Sequence, residues 1–217
     1  MKVALIGATG FVGNAILNEL TDRNYYVVAI ARNTDKIENN SDTIEKINAD
    51  VFNSEDISKA ISGADLVISA YNPGWTNPNI ADEYRKGAES IQKAVENSDV
   101  KRLIVIGGAG TLKIDGNYLV DGADFSKDIY PAANSVRNYF VENLSKNETL
   151  DWEFFSPAIE MYNGNGLTKT KNYRYGSDAP VFNAEGRSLL SVEDLAVAVV
   201  DEVENKQFIR KQFTAGY

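Results

Sequence analysis

The chain has 217 residues, 43% of them hydrophobic and 24% charged, which is ordinary usage for a single globular unit. Lys and Arg number 22 against 31 Asp and Glu, a net charge of −9. That balance argues against nucleic acid or an anionic membrane as the main partner, since both need a cationic footprint. Cysteine and histidine are both absent, which excludes disulfides, Cys or His zinc sites, cysteine nucleophiles and any Ser-His-Asp triad. Acid–base chemistry is left to Tyr, Lys, Asp, Glu, water or a cofactor.

The first apolar run, Val3–Ile6, reads as a strand. It is too short for a signal-peptide core or a membrane span, as are Leu103–Ile106 and Leu195–Val200, so a cytoplasmic protein is expected. Gly7-Ala8-Thr9-Gly10-Phe11-Val12-Gly13 follows at once, a G-x-x-G-x-x-G pattern. It opens a helical pattern in which Val12, Ala15, Ile16 and Leu20 share one face. Strand, glycines and helix in that order are the context of a dinucleotide turn. Gly7 permits the turn, Gly10 lets a pyrophosphate approach the backbone, and Gly13 lets the helix pack close to the sheet. The helix start then offers free N–H groups and its positive dipole end to the phosphates.

A second strand, Tyr26–Ile30, runs into Ala31-Arg32-Asn33. The end of this strand is where a ribose-binding carboxylate would stand, and Arg32 stands there instead. Its guanidinium suits a 2′-phosphate, so NADP(H) is the expected cofactor, while Asp35 nearby keeps NAD(H) in play. Asp35–Asp42 reads as a turn or short helix, and Ile44–Ile47, interrupted by Glu45 and Lys46, as the weakest strand.

Ile57, Ala60, Ile61 and Ala64 mark the next helix and Leu66–Ser69 the fourth strand. The loop Tyr71–Ile80 leaves that strand with Tyr71 and Trp75, two rings able to stack on a planar acceptor. Tyr84, Ala88, Ile91 and Val95 form a third helix face, followed by strand Leu103–Ile106 and Gly107-Gly108-Ala109-Gly110-Thr111. Val136, Tyr139, Phe140 and Leu144 form a fourth, ahead of strand Trp152–Phe155.

Residues 157–190 read as a loop-rich insertion on the substrate side, with Tyr162 and with Lys169, Lys171 and Arg174 as a cation cluster for an anionic group. Tyr118, Phe125 and Tyr130 are candidates for a further wall. Ser191 caps a last helix with Asp194 as its capping-box partner, and Val192, Leu195, Ala196, Val199 and Val203 face the core. Lys211–Ala215 reads as an edge strand. Alternating strands and helices, with continuously apolar strands, predict an α/β doubly wound parallel sheet with helices on both faces. Residues 1–217 are expected to form one domain.

The opening KVALIGATGFVGNAIL, Ala31-Arg32-Asn33 and Asp50-Val51 resemble the atypical short-chain dehydrogenase/reductase superfamily. More narrowly, Ser156-Pro157-Ala158 and Leu190–Ala196 are similar to the closing segment of small NmrA-like NAD(P)H-binding proteins. That group is labelled with NADH-flavin reductases and NAD-dependent epimerases or dehydratases, and the likeness runs along the whole chain. It implies the NAD(P)-binding Rossmann fold. It implies too that Gly7, Thr9, Gly10, Phe11 and Val12 line the pyrophosphate, with Gly13 among the cofactor-binding residues, Arg32 at the adenosine ribose or its phosphate, and Asp50 and Val51 flanking the adenine. Ser69, Ala70 and Tyr71 would lie along the nicotinamide-side ribose, and Gly107, Gly108 and Ala109 beneath the nicotinamide.

The chain departs from the superfamily at its catalytic pair. None of the 11 tyrosines has a lysine four residues on; Tyr130 meets Asn134 at that spacing. A sugar epimerase or dehydratase needs a positioned proton acceptor, and only about 60 residues beyond the sixth strand are left for a sugar-binding domain. A flavin or quinone takes hydride with little help from the protein. The expected function is therefore hydride transfer to a small planar acceptor, with Trp75, Tyr130 and Tyr162 as acceptor-side residues. A non-catalytic NAD(P) sensor is the alternative, and monomer and dimer stay open.

Overall fold

The structure is a computed structural model that describes residues 1–217. In chain order the elements are β1 (Lys2–Ile6), α1 (Phe11–Asp22), β2 (Tyr26–Ala31), β3 (Ile44–Asn48), α2 (Ser54–Ala60), β4 (Leu66–Ser69), α3 (Ile80–Glu96) and β5 (Arg102–Ile106). There follow a hairpin of β6 (Lys113–Ile114) and β7 (Asn117–Tyr118), then α4 (Tyr130–Glu142), β8 (Asp151–Phe155), β9 (Arg174–Gly176), α5 (Val192–Asn205) and β10 (Lys211–Gly216). Eight strands form one sheet in the order β3-β2-β1-β4-β5-β8-β10-β9, parallel throughout except for β9 against β10. No helix is long and apolar enough to cross a membrane.

Successive strand residues point to opposite faces, and here both faces are apolar. Val3 and Leu5 bury against α1 and α5, with Ile16, Leu20, Leu195, Val199 and Phe213. Ala4 and Ile6 bury against α2, α3 and α4, with Ile57, Tyr84, Ile91, Tyr139 and Phe154. This is the doubly wound Rossmann arrangement, and β1 lies at the point where strand order reverses.

Two expectations need correction. Lys211–Ala215 is not an edge strand: β10 is flanked by β8 on one side and by β9 on the other. The returning loop delivers β9 antiparallel to it and buries Phe213–Gly216. Asp194 is not a capping-box partner. Ser191 does cap α5, its Oγ accepting from the Asp194 N–H at 3.0 Å, but the Asp194 carboxylate turns to the loop. It accepts from Thr170 N–H (2.8 Å), Thr170 Oγ (2.7 Å), Lys171 N–H (2.8 Å) and Tyr217 O–H (2.6 Å). Those bonds hold the Asp194 carboxyl below its usual range against the opposing effect of burial.

At the sheet edge opposite the glycine turn, Arg102 sits between the fully buried Glu153 and Glu202. It grips Glu153 through Nε (3.1 Å) and Nη2 (2.7 Å) and caps the end of α5 through the carbonyls of Glu202 and Val203, each at 2.7 Å. Glu202 Oε1 accepts from Phe208 N–H at 2.8 Å, while Oε2 has no partner. Burial pushes the Glu153 carboxyl up to about 8, with Arg102 opposing and Glu202 reinforcing. One guanidinium thus faces two carboxyls, held to Glu153 at 2.7 Å and lying 3.8 Å from Glu202 Oε1.

Candidate functional site

In an open α/β sheet ligands settle at the carboxyl ends of the strands, beside the reversal of strand order. Here that edge carries the turn from β1 into α1. Gly7 has φ +83°, a conformation that L side chains rarely adopt, and a Cβ there would lie 2.6 Å from the Ala70 carbonyl oxygen. A Cβ on Gly13 would lie 2.0 Å from the Gly7 carbonyl oxygen. The turn is thus clamped between β4 and the first turn of α1, and both glycines are sterically required. Gly10 starts the helix with no side-chain cap and no acidic residue in the first turn. The Thr9, Phe11, Val12 and Gly13 amides donate to no acceptor in the protein. An anion is the natural partner of such amides at the positive end of a helix.

At the end of β2 the Arg32 side chain is exposed and makes no hydrogen bond or ion pair. Its neighbours are occupied: Asn33 Oδ1 accepts from Asp35 N–H at 2.9 Å, and buried Thr34 bonds Asn48 Oδ1 through both N–H and Oγ, each at 2.9 Å. The Asp35 carboxylate is exposed. Beyond β3, Asp50 accepts from Phe52 N–H at 3.0 Å and Val51 is buried. Phe52 was missed in sequence. Its ring is 46% exposed beside Asp50, and a lone exposed aromatic just after a strand end was the available signal.

On the other side of the turn, Ser69 is buried and Ala70 N–H donates to Ile6 O at 2.9 Å. The Tyr71 ring is turned onto α3, where it stacks on Tyr84 with centroids 6.2 Å apart and planes 16° apart. Its hydroxyl donates to the Glu83 carbonyl at 3.1 Å, so Tyr71 is not a free stacking platform for an acceptor. Burial pushes the phenol up to about 12, Glu83 and Asp50 adding to the effect and Arg32 opposing it.

After β5, Gly107 is required for a reason internal to the protein: a Cβ there would meet the Phe154 ring at 2.1 Å. Gly108 is open, its nearest neighbour on the Cβ side being Val136 Cγ1 at 3.8 Å. Ala133 of α4 similarly faces Gly110. Thr111 is fully buried and locks this loop. Its hydroxyl lies 2.7 Å from both Gly108 O and Ser156 Oγ, and Gln212 Nε2 donates to Thr111 O and Ser156 Oγ, each at 2.8 Å.

The acceptor-side residues follow adjacent strands of the same edge: Trp75 after β4, Tyr130 after β5 and Tyr162 after β8. All are exposed, at 69%, 42% and 55%. Tyr130 is the first residue of α4 and packs edge-on against Phe125 at 6.5 Å. The expected cation cluster does not form. Lys169 pairs with Glu19 of α1, and Arg174 Nη2 donates to the Phe182 and Tyr217 carbonyls at 2.7 and 3.0 Å. These side chains serve to strap the 157–190 loop to the body of the protein.

The sequence profile of a family described as NAD(P)H-binding matches residues 7–206. The chain belongs to this NAD(P)H-binding family. The matched span includes the glycine turn and both sides of the edge just described. A Bacillus subtilis protein, YwnB, is 34% identical over 99% of this chain and 97% of its own length. A candidate epimerase from Bacteroides thetaiotaomicron is 37% identical, with a TM-score of 0.92 over 100% of this chain and 96% of that one. A candidate NADH-flavin reductase from Streptococcus pneumoniae is 32% identical, with a TM-score of 0.86 over 100% and 99%. The turn fits the dinucleotide that the family binds: unpaired amides at the helix start, glycines that keep the turn tight, and an uncommitted arginine at the end of the next strand.

Proposed function

We propose that this NAD(P)H-binding protein is a reductase, preferring NADPH to NADH, whose substrate is a flat conjugated acceptor such as a flavin or quinone. The observation that carries the reading is the wall over the Gly108 backbone. There α4 presents Val136 toward Gly108 and, further along the loop, Ala133 toward Gly110, and the hydroxyl of that loop, Thr111, is buried and fully engaged. A carbonyl or sugar substrate needs a proton donor or acceptor at this point. A flavin or quinone does not, because water can supply its remaining proton.

When bound, the reduced nicotinamide supplies the hydride, which is the cofactor's own chemistry. The chain's share is to bind and align. The amides of Thr9, Phe11, Val12 and Gly13 receive the diphosphate, and Arg32 receives the 2′-phosphate. Asp50 and Val51 border the adenine. Ser69, Ala70 and the Tyr71 backbone run beside the second ribose, and Gly107, Gly108 and Ala109 form the floor. Trp75, Tyr130 and Tyr162 offer aromatic surface to the acceptor. The preference for NADPH rests on Arg32 and on the absence of a carboxylate at the end of β2; Asp35 leaves NADH usable. A cytoplasmic setting, where reduced nicotinamide is supplied, fits this role. The S. pneumoniae relative's name supports the reading.

The test is to follow nicotinamide oxidation with FMN, FAD and quinones in turn. Turnover proportional to protein is expected with at least one. The same apolar wall favours a second reading, a dinucleotide sensor that reports the nicotinamide pool to a protein partner. Tight binding with no turnover on any acceptor selects that reading and refutes the reductase.

A further inference from the structure

Gly87 lies in the middle of α3, where glycine costs helix stability and no turn or positive φ demands it. Its reason is a side chain. A Cβ at Gly87 would lie 2.3, 2.6 and 2.7 Å from Cε1, Cζ and Oη of Tyr71. The notch left by the missing methyl is the seat of the Tyr71 ring. One turn of α3 completes the seat, with Tyr84 stacked beside the ring and the Glu83 carbonyl accepting its hydroxyl.

The seat holds more than a ring. Tyr71 follows Ala70, and the Gly7 turn rests on the peptide between them: a Cβ at Gly7 would meet Ala70 O at 2.6 Å and Tyr71 N at 3.2 Å. The same α3 turn grips the far end of the loop, since Asn77 Nδ2 donates to Glu83 Oε2 at 2.7 Å. Both ends of the 71–77 loop therefore hang on Glu83, and the tip between them carries the exposed Trp75.

We infer that Gly87 is a positioning residue for the nucleotide site: its notch seats the Tyr71 ring, and the seated ring fixes the peptide that backs the phosphate turn. The inference rests on the nicotinamide-nucleotide reading of that turn, and on neither the acceptor nor the NADPH preference. A methyl at position 87 displaces the ring. The ring's escape route is rotation about its own side-chain bonds, which spares α3 but frees the Ala70–Tyr71 peptide.

The experiment compares wild type, Gly87→Ala, Tyr71→Ala and the double variant by two readouts. One is amide hydrogen exchange across Gly7–Gly13 with no nucleotide present; the other is affinity for NADPH. Gly87→Ala is expected to speed exchange in the turn and to weaken NADPH by about ten-fold. Tyr71→Ala removes the ring that the notch seats and is expected to change both readouts at least as much; in the double variant the methyl has no ring to strike, so both readouts stay at the values of Tyr71→Ala. Unchanged turn exchange in Gly87→Ala or in Tyr71→Ala, or a double variant in which the Gly87→Ala loss adds in full to that of Tyr71→Ala, overturns the inference. Lack of flavin or quinone turnover by wild type sinks the reductase reading alone, because neither readout involves an acceptor.

Discussion

Replacing Arg32 by alanine separates the two nicotinamide nucleotides. The side chain is exposed and bonds to nothing in the protein, so its removal strands no partner. Folding stability should move by less than about 0.5 kcal/mol. A charge-assisted contact to a 2′-phosphate is worth about 1.5–3 kcal/mol, and solvent exposure places this one near the lower end. About 1.5 kcal/mol corresponds to roughly twelve-fold weaker NADPH binding. NADH has no 2′-phosphate and should bind as before. Arg32→Asp should weaken NADPH further by repulsion while offering NADH a ribose acceptor. Fluorescence titration of both nucleotides against both variants measures this. Equal weakening of NADPH and NADH by Arg32→Ala would mean that the guanidinium stacks on adenine, and no change in either would falsify its role in the site.

Gly13→Ala sets a methyl 2.0 Å from the Gly7 carbonyl oxygen, backbone against backbone, so no flexible side chain can yield. A loss of about 1–3 kcal/mol in denaturant unfolding is expected despite alanine's better helix propensity, together with loss of nucleotide binding; wild-type stability would contradict the clamp. Trp75→Ala should leave unfolding unchanged, because the ring is 69% exposed, and should raise the KM for the acceptor but not that for NADPH. An unchanged acceptor KM removes Trp75 from the site. Glu153 has its folded pKa raised from 4.5 to about 8, so the folded protein holds a proton that the unfolded chain releases near 4.5. Its stabilisation is complete below about pH 4.5 and declines as pH rises toward 8. Glu202→Gln removes the neighbouring carboxylate that adds to the Glu153 shift and should flatten this decline in unfolding measurements between pH 5 and 9; an unaltered slope means that Glu202 does not contribute.

The parts of the fold that rest on local chemistry were legible in the sequence. Continuous apolar runs marked the parallel strands, and glycines between a strand and an amphipathic helix marked the tight turn from β1 into α1. The Ser191 cap was a local signal as well. Errors arose where a residue's partner is remote. Lys169 looked free for a ligand, yet its partner Glu19 lies 150 positions away. Nor could local sequence show the lock on Thr111, made by Ser156 and Gln212, 45 and 101 positions on. The place of β10 inside the sheet depends on β9, which the loop pinned by Asp194 brings back. Gly87 gave no signal, because a notch exists only once the ring that fills it is in place.

Hydride delivery at the Gly107–Gly108 floor is tested most directly with NADPH deuterated on one face of the nicotinamide C4 at a time. A fixed floor presents one face to the acceptor. Turnover with a flavin or quinone is expected to show a primary isotope effect, with loss of label from one face only. Loss from both faces equally, or oxidation that does not depend on the protein, would contradict the account.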